Sequence, residues 1–461
     1  MSKSVVGIDL GTSSVKVVQR YIDGTILKVR EVYEEISPNA WWKAICKALS
    51  QINLEEVDGI GLSSQVGTYI VDDVHVIGWN EAIGAEELAA IKKDYDTECF
   101  LQEISMPHPN IISYPIPRLK YMKHTYPNFQ KVGMPKDFIC QQLTGNLVTD
   151  PYSWRGLANL EKKVYSQYFL KELGIQEEQL PKMIDFTEIA GYTKEISLGE
   201  KQLPEGIPVY VGLNDYYAGL LGMGIHKVGD MFDISGTSEH LGILEEKVNV
   251  ATEMVSGPYL QEQVHYGVTA SSGVSLKYGL ELYACEELDL TKMREKHPPI
   301  FLPYLNGERA PIWDADARGM FFGIQGNCSK EEMYYAVMEG VAFSLYHIYE
   351  KMGKPPARQM KVAGGAAVSS VLNQLKAELF GIPVAVLEES DTSALGAVLV
   401  ALLGQGSYET IDAAATDGCN IKEIIEPTGK YEAWLKKRFT IYKELYPAVK
   451  MQYQKLKEIE Q

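Results

Sequence analysis

Cysteines are few in this sequence, and none is placed as metal sites or disulfide scaffolds require. The 461 residues include six cysteines, and no two of them form a C-x-x-C pair. They are Cys46, Cys99, Cys140, Cys285, Cys328 and Cys419. This scatter argues against a zinc site or a disulfide framework and predicts reduced thiols in the core of a cytoplasmic protein.

Long apolar runs and a surplus of basic charge are missing too. No apolar run approaches the roughly 18 residues that a membrane-spanning helix needs. Residues 1–4 lead directly into a strand-like run, so we expect no secretory signal peptide. Lys and Arg number 44 against 61 Asp and Glu, a formal net charge of −17. This acidic balance argues against nucleic acid and anionic membranes as partners, although local N–H groups and cations can still bind an anionic nucleotide.

Two common nucleotide motifs are absent, the G-x-x-x-x-G-K-[ST] P-loop and the complete G-x-G-x-x-G fingerprint. The composition, 46% hydrophobic and 23% charged, is typical of a globular protein. Because a chain of this length is too long for one hydrophobic core, we expect two or more domains.

The first chemical motif lies within residues 5–18. An apolar, β-branched run, a Gly-Thr-Ser-Ser turn and a second apolar run predict a β-hairpin with a polar tip. The tip and its flanks supply groups suited to phosphate oxygens and to a hydrated divalent cation: Gly11, Thr12, Ser13, Lys16 and Asp9. An ordinary hairpin that binds no ligand explains this stretch equally well when it is taken alone.

A second hairpin of the same type is predicted about half the chain later. Residues 231–244 again run from an apolar strand through a Gly-Thr-Ser tip, Gly236-Thr237-Ser238, to another apolar strand. One such tip is weak evidence for phosphate binding, but two equivalent tips, one in each half, are stronger. They suggest a duplicated fold that binds a polyphosphate between two lobes.

Other elements follow from hydrophobic spacing and turn residues. We predict strands at 21–27, 57–65 and 209–215, a hairpin at 69–77, helices at 41–52, 135–145 and 216–224, mainly helices within 82–160, and a strand, glycine turn and helix at 360–380. Asp215 ends a strand at the start of a helix, which suits a general base, or alternatively a plain helix N-cap. Glycines at 364 and 365 would allow close approach of a base or a ribose phosphate.

Trp79, Asn80 and Glu81 follow the predicted hairpin at 69–77. The indole could pack on the carbon face of a polyhydroxylated ligand while the amide and the carboxylate bind its hydroxyls. Alternatively, Asn80 caps a helix and Trp79 is a packed core residue, which the pattern alone slightly favours.

Together these motifs resemble those of the FGGY carbohydrate kinases, which have the actin-like ATPase fold. The resemblance rests on Gly7–Lys16, Asp215, Ser235–Ser238, Ala363–Ala366, Phe301–Asp314, Ala317–Gly323 and Glu339–Phe343, and less specifically on Leu143–Gly145, Thr149–Asp150 and Leu445–Ala448. It spans essentially the whole chain. It implies an α/β fold of two lobes, 1–225 and 226–461, each a mixed sheet flanked by helices in the actin-like (ribonuclease H-like) manner, that close on Mg-ATP and a sugar.

The resemblance also implies a role for each site residue. Asp215 would be the general base, and Asp9 with Asp215 would hold Mg²⁺. The ATP- and phosphate-binding residues would be Gly11, Thr12, Ser13, Lys16, Gly236, Thr237, Gly273, Gly364 and Gly365. The sugar-binding residues would be Gln65, Gly67, Trp79, Asn80, Glu81 and Tyr216.

The sequence departs from the family pattern mainly where the sugar binds. Tyr216 stands where members commonly carry Asn or Gln, and Val66-Gly67 follow Gln65 where xylulokinase-like members have Met-His. The arginine expected after Trp79-Asn80-Glu81 is missing. These departures affect the choice of substrate more than the reaction.

The resemblance implies ATP-dependent phosphorylation of a small sugar, foremost a ketose such as a pentulose. Alternatives are a kinase for a polyol or a sugar acid, and a non-catalytic, ATP-gated binding protein on the same fold. A chaperone-type or filament-forming ATPase is disfavoured by the run at 307–314. The expected cofactors are ATP and Mg²⁺. The expected partner is a small sugar or polyol, with neither nucleic acid nor membrane, and a homodimer is a possible assembly.

Overall fold

The computed structural model describes residues 3–109, 111–236, 238–250, 253–270, 272–283 and 288–460. The chain forms two compact units. Unit 1 comprises Met1–His226, Gly257–Gln261 and Asp391–Cys419, and unit 2 comprises Lys227–Ser256, Glu262–Ser390 and Asn420–Gln461. The first break lies beside the boundary expected at 225/226, but unit 1 also takes two later segments. The contiguous lobes 1–225 and 226–461 therefore stay a prediction.

The helices and strands are bounded as follows. The helices are α1 (Pro38–Leu49), α2 (Ala85–Asp94), α3 (Thr97–Ile104), α4 (Pro115–Thr125), α5 (Pro135–Thr144), α6 (Gln167–Leu173), α7 (Asp215–Gly222), α8 (Ser272–Tyr283), α9 (Leu290–Lys296), α10 (Lys330–Lys351), α11 (Ser370–Phe380), α12 (Thr392–Gly404), α13 (Ile411–Gly418) and α14 (Glu432–Glu460). The strands are β1 (Ser4–Leu10), β2 (Ser14–Tyr21), β3 (Ile26–Val32), β4 (Val57–Ser64), β5 (Tyr69–Val71), β6 (His75–Ile77), β7 (Val132–Gly133), β8 (Val148–Thr149), β9 (Ala158–Asn159), β10 (Val164–Tyr165), β11 (Lys182–Met183), β12 (Ile189–Tyr192), β13 (Ile196–Ser197), β14 (Gln202–Leu203), β15 (Pro208–Asn214), β16 (Met231–Ser235), β17 (Glu239–Glu245), β18 (Val255–Tyr259), β19 (Glu262–Val268), β20 (Ile300–Leu302), β21 (Met320–Phe322), β22 (Met360–Gly364), β23 (Val384–Leu387) and β24 (Ile421–Ile425).

The main sheets of the two units repeat one topology. In unit 1 the strand order is β3-β2-β1-β4-β15-β12, and successive pairs are antiparallel, antiparallel, parallel, parallel and antiparallel. The sheet of unit 2 has seven strands, of which the six in the order β19-β17-β16-β22-β23-β24 show the same succession of pairings. Both predicted hairpins, β1–β2 and β16–β17, occupy the same position in this pattern, which confirms the duplicated fold.

Helix α12 completes the core of unit 1, although it follows most of unit 2 in the chain. It is apolar on every side, as buried helices are, and packs against α7 and against strands β1 and β4. The packing is close enough to require glycine. A Cβ on Gly396 would overlap the carbonyl oxygen of Ala218 in α7, and one on Gly61 would overlap that of Ala397.

Two predictions about local structure are wrong. The strand expected at 21–27 is instead the end of β2, a turn, and the start of β3, because Asp23 accepts the N–H of Thr25 and Gly24 has φ of 87°. The cysteines are not all core residues: Cys140 is buried, whereas Cys46, Cys99, Cys328 and Cys419 are half-buried free thiols, and Cys285 lies outside the described residues.

Within the described ranges, no helix combines the length and the apolarity that crossing a bilayer demands.

Candidate active site

Asp215 begins α7 directly after strand β15, as the sequence predicts. The alternative that it is a plain N-cap is wrong, because Asn214 has that role and accepts the N–H of Tyr217 at 3.0 Å. The carboxylate of Asp215 accepts the N–H of Tyr216 at 2.8 Å. The hydroxyl of Ser393, in α12, donates to the backbone carbonyl oxygen of Asp215 at 2.9 Å. The carboxylate is thus oriented by its own helix and half-buried.

Asp9 lies close enough to Asp215 to raise the pKa of its carboxyl group. Burial, followed by the charge of Asp9, raises the pKa of Asp215 to about 7, while Arg155 and Lys16 act in the opposite direction. Asp9 is buried near the end of β1, where Ser63 donates to its Oδ1 at 2.8 Å, and burial also raises its pKa. A carboxylate that titrates near neutral pH is suited to accept a proton in a reaction at that pH.

Because burial and the charge of Asp9 disfavour the charged form of Asp215, we expect an Asp215→Asn variant without metal to be more stable than the wild type at neutral pH. A carboxyl whose folded pKa lies above its unfolded value near 3.8 favours folding below that value and loses this contribution as pH rises through about 7. Asparagine mimics the protonated form at every pH. In EDTA, the melting temperature of the variant relative to that of the wild type should rise by on the order of 2–4 °C between pH 5 and pH 8. Thermal melts from pH 5 to 8 test this, and a difference that does not grow with pH would contradict it.

Lys16 lies opposite Asp9 in the β1–β2 hairpin and forms an ion pair with Asp391. Its ammonium lies 2.7 Å from Oδ1 of Asp391, the residue just before α12, and its side chain is 30% exposed. The charge of Lys16 partly offsets the rise that burial causes in the pKa of both Asp9 and Asp215. A cation is therefore held beside the two carboxylates, where an incoming phosphate would compete with Asp391 for it.

The hairpin tip presents exposed groups. Gly11 donates its N–H to the carbonyl of Ser14 at 3.0 Å, and its own carbonyl accepts the hydroxyl of Tyr33. Thr12 and Ser13 are exposed. The indole N–H of Trp79 donates to Oγ1 of Thr12 at 3.2 Å. The predicted phosphate tip and a predicted sugar-binding residue are thus in direct contact.

Several predicted sugar-binding residues form a connected group. Gln65 follows β4 and donates its N–H to Leu10 at 2.8 Å, and its side-chain oxygen accepts the hydroxyl of Thr68 at 3.4 Å. That hydroxyl oxygen in turn accepts the N–H of Trp79 at 3.2 Å. Gly67 lies between them in a left-handed turn with φ of 82°. Trp79, which is 36% exposed, therefore has a fixed backbone and an accessible ring.

Asn80 and Glu81 differ from expectation in their local contacts. The alternative that Asn80 caps a helix is wrong, since α2 begins at Ala85 with Gly84 as its N-cap. Both side chains are exposed, and the Glu81 carboxylate accepts the N–H of Gly78 at 2.5 Å. Glu81 therefore closes the turn after β6 through its side-chain carboxylate.

Two arginines that contact predicted site residues or their loop were not predicted from the sequence. Arg118 of α4 is buried and donates Nη2 to the carbonyls of Gly78 at 3.1 Å and Glu81 at 2.9 Å, so it fixes the loop where the family's arginine is missing. The guanidinium of Arg155 lies 5.4 Å from the ring centroid of Tyr216 and 4.9 Å from that of Tyr217. Neither has a local sequence pattern that could reveal it.

Two further residues were missed, and one of them had a detectable pattern. Asp391 follows a strand and precedes a helix, which is the pattern that identified Asp215. Ser63 is a small polar residue at the end of β4, and only the parallel pairing of β1 with β4 brings it opposite Asp9.

Unit 2 has a matching hairpin tip. The N–H of Gly236 donates to the carbonyl of Ser238 at 2.9 Å, as Gly11 does to Ser14, and Thr237 lies outside the described residues. Ser235 donates to the carbonyl of Ala363 at 3.1 Å, which ties the tip to β22. Gly364 has φ of 97°, and a Cβ there would overlap the carbonyl oxygen of Ser235.

The remaining predicted nucleotide residues of unit 2 lie at element starts. Gly365 begins a short 3-10 turn, Gly365–Val368, where a Cβ would meet nothing within 4 Å. Gly273 is the second residue of α8. The open space beside Gly365 and the position of Gly273 at a helix start are compatible with a bound nucleotide.

The residues of unit 1 fit a hydrated magnesium ion. Among the described residues, no group of three or more His, Cys, Asp or Glu could hold a metal. Asp9 and Asp215 nevertheless form a pair of desolvated carboxylates with raised pKa values, which a cation would relieve. Mg²⁺ in kinases is commonly held by one or two carboxylates, water and the substrate phosphates. Asp9 and Asp215 are the residues that would hold it.

Known proteins resemble this chain over nearly its whole length. The N-terminal domain of the FGGY family of carbohydrate kinases matches residues 4–222, and its C-terminal domain matches residues 232–404. The xylulose kinase of Staphylococcus xylosus is 26% identical over 96% of this chain and 99% of that protein. The glycerol kinase of Aquifex aeolicus is 26% identical over 93% of this chain and 95% of that protein.

A solved structure confirms the fold. The gluconate kinase of Lactobacillus acidophilus has a TM-score of 0.85 and 24% identity, covering 99% of this chain and 100% of that one. The predicted two-lobed, actin-like α/β fold and the predicted class of enzyme, a phosphotransferase, are thereby confirmed. The chain belongs to the FGGY family of carbohydrate kinases.

Proposed function

We propose that this carbohydrate kinase transfers the γ-phosphoryl group of ATP to a hydroxyl of a small ketose, with a pentulose as the first candidate. The observation that carries the proposal is Asp215, a half-buried carboxylate with a pKa raised to about 7, beside Asp9 and Lys16. Similarity to a xylulose kinase supports the substrate class. Similarity to glycerol and gluconate kinases makes a polyol or a sugar acid the alternative.

In the proposed reaction, each of the site residues has a defined role. Asp215 accepts the proton of the acceptor hydroxyl while that oxygen bonds to the γ-phosphorus and the bond to ADP breaks. Lys16 and the tip residues Gly11, Thr12 and Ser13 stabilise charge on the transferring oxygens. Asp9 and Asp215 would hold Mg²⁺, which would supply positive charge to neutralise the phosphates. Gly236, Thr237, Gly273, Gly364 and Gly365 of unit 2 are assigned to the nucleotide.

The sugar site is assigned to the connected group around Trp79. The accessible indole provides a flat apolar face for the carbon side of a sugar, and Gln65 provides an amide for a hydroxyl. Asn80 and Glu81, exposed on the same loop, and Tyr216, next to the base, complete the set, with Gly67 giving the turn its shape. A non-catalytic binding protein would have no need for a base with a tuned pKa.

A substrate panel tests this function. ADP release from Mg-ATP is measured with ketopentoses, ketohexoses, heptuloses, polyols and aldonic acids, with ATP alone as the background. A ketopentose is expected to give the highest kcat/KM. A polyol or an aldonic acid that exceeds every ketose would replace the proposed substrate class. ATP binding without sugar-dependent ADP release would favour the non-catalytic alternative.

Tyr216 is expected to control the choice of substrate. Its ring contacts Arg155, and asparagine would open that space and place an amide beside the base, where it can bind a sugar hydroxyl. Tyr216→Asn should change the ratio of kcat/KM between two accepted sugars by at least about tenfold. Tyr216→Phe, which keeps the ring, should retain the wild-type ratio. Equal ratios in all three proteins would remove Tyr216 from the site.

A further inference from the structure

A fully buried charge cluster lies in unit 2. The ammonium of Lys376, in α11, lies 2.5 Å from Oδ2 of Asp233 and 2.6 Å from Oε1 of Glu239. All three side chains are completely buried. The hydroxyl of Ser272 donates to the other oxygen of Glu239. One lysine therefore joins residues from β16 and β17 and, through Glu239, from α8.

The cluster contacts the segments that are assigned to the nucleotide. Asp233 lies in β16 and Glu239 is the first residue of β17, so the cluster holds both sides of the 236–238 tip. The backbone N–H of Glu239 donates to Thr269 at 3.2 Å, just before α8. Ser272 begins α8 and is the neighbour of Gly273. A shift of the lysine would move the tip and the start of α8 together.

Helix α11 also holds the third nucleotide segment. Asn373, one turn before Lys376, donates its amide to the carbonyl of Ala367 at 2.7 Å, within the 365–368 turn. Ser369 caps the same helix by accepting the N–H of Leu372 at 3.3 Å. The hairpin tip, the start of α8 and the glycine turn are therefore all bonded to α11 or to residues that its lysine holds.

The charges of the cluster indicate a positioning role. Two carboxyls face one ammonium, and burial together with the charge of Glu239 raises the pKa of Asp233 well above its usual range. A buried ion pair contributes little net stability, because desolvation offsets much of its attraction. Its directional bonds, in contrast, fix the relative positions of the segments that carry them.

We propose that Lys376 is a positioning residue for the nucleotide: it fixes the 236–238 tip and the start of α8 in the arrangement that binds ATP and ADP. Lys376 is buried beneath these segments and touches no substrate itself. This inference rests on the proposed function, since it requires that unit 2 binds the nucleotide.

The test is direct nucleotide binding by a Lys376→Met variant. Calorimetric titration with Mg-ADP, without sugar, should show at least about a tenfold loss of affinity, because misplaced binding groups lose their geometry. In steady-state assays the KM for ATP should rise, while the KM for the sugar stays within about twofold of the wild type. A merely structural role would not separate these two constants.

A matched control is available in unit 1. Lys136 is equally buried and its ammonium lies 2.9 Å from Oδ2 of Asp150. Lys136→Met should destabilise the protein without changing the affinity for Mg-ADP. Unchanged affinity in Lys376→Met, or equal losses in both variants, would overturn the proposal.

A milder variant keeps the test decisive if Lys376→Met does not fold. Ser272→Ala removes one hydrogen bond to Glu239 and should weaken Mg-ADP binding by about threefold. Wild-type affinity in Ser272→Ala would overturn the proposal in that case. Failure of the wild-type protein itself to bind Mg-ADP would overturn the proposed function, and this inference with it.

Discussion

Replacing Asp215 with asparagine is expected to lower kcat by about 10²- to 10⁴-fold, the usual contribution of a general base. Asparagine has nearly the same shape and can still accept the N–H of Tyr216, so α7 should keep its position. What it cannot do is accept the proton of the acceptor hydroxyl. The KM values for the sugar and for ATP should therefore change far less than kcat, as measured by ADP release over a range of sugar and ATP concentrations.

Asp185 provides the control for this variant. It is also a half-buried aspartate whose Oδ1 accepts a backbone N–H, that of Thr187 at 3.1 Å, but it lies outside the candidate site. Asp185→Asn should keep full turnover. If Asp215→Asn retains more than about a tenth of the wild-type kcat, the proton is accepted elsewhere and the assignment of the base is wrong.

Gly396→Ala is expected to cause a large loss of stability. The new methyl group would overlap the carbonyl oxygen of Ala218, and both atoms belong to the backbone or are fixed to it, so no side-chain rotation can relieve the clash. Overpacking of this kind costs about 1–3 kcal/mol or more. The midpoint of thermal unfolding should fall by roughly 5–10 °C. Because α7 carries Asp215 at its first residue, any adjustment of α7 should also lower kcat.

Gly326→Ala is the matched substitution for this experiment. A Cβ at Gly326 would meet nothing within 4 Å, so its melting temperature should stay close to that of the wild type. Equal melting temperatures for Gly396→Ala and Gly326→Ala would mean that α12 and α7 are not packed as closely as the structure has them.

The sequence was most informative where structure is local. Each hairpin is encoded by two apolar runs and a Gly-Thr-Ser tip, and neighbouring residues decide both its existence and its turn. Asp215 was identifiable because a strand end and a helix start flank it directly. The strand expected at 21–27 failed for the same local reason, since Asp23 and Gly24 are turn residues that the apolar neighbours outweighed.

The parts of the site that could not be predicted depend on long-range contacts. Lys16 and Asp391 are separated by most of the chain, and Lys376 and Asp233 by 143 positions, and only the folded sheets bring each pair together. Arg118 contacts the loop at 78–81 from a different helix, which no spacing rule can anticipate. Tyr216 was noticed only as a departure from the family pattern, and its contact with Arg155 emerges from the fold.

The position of α12 in the chain sets an order of events during synthesis. A growing polypeptide releases His226 long before it releases residues 391–419, which belong to the same unit. At translation rates of about 5–20 residues per second, the interval between them is roughly 10–40 s. Throughout that time the nascent unit 1 lacks the helix that covers β1, β4 and α7. Its uncovered apolar surface is therefore prone to aggregation until about nine-tenths of the chain has been synthesised.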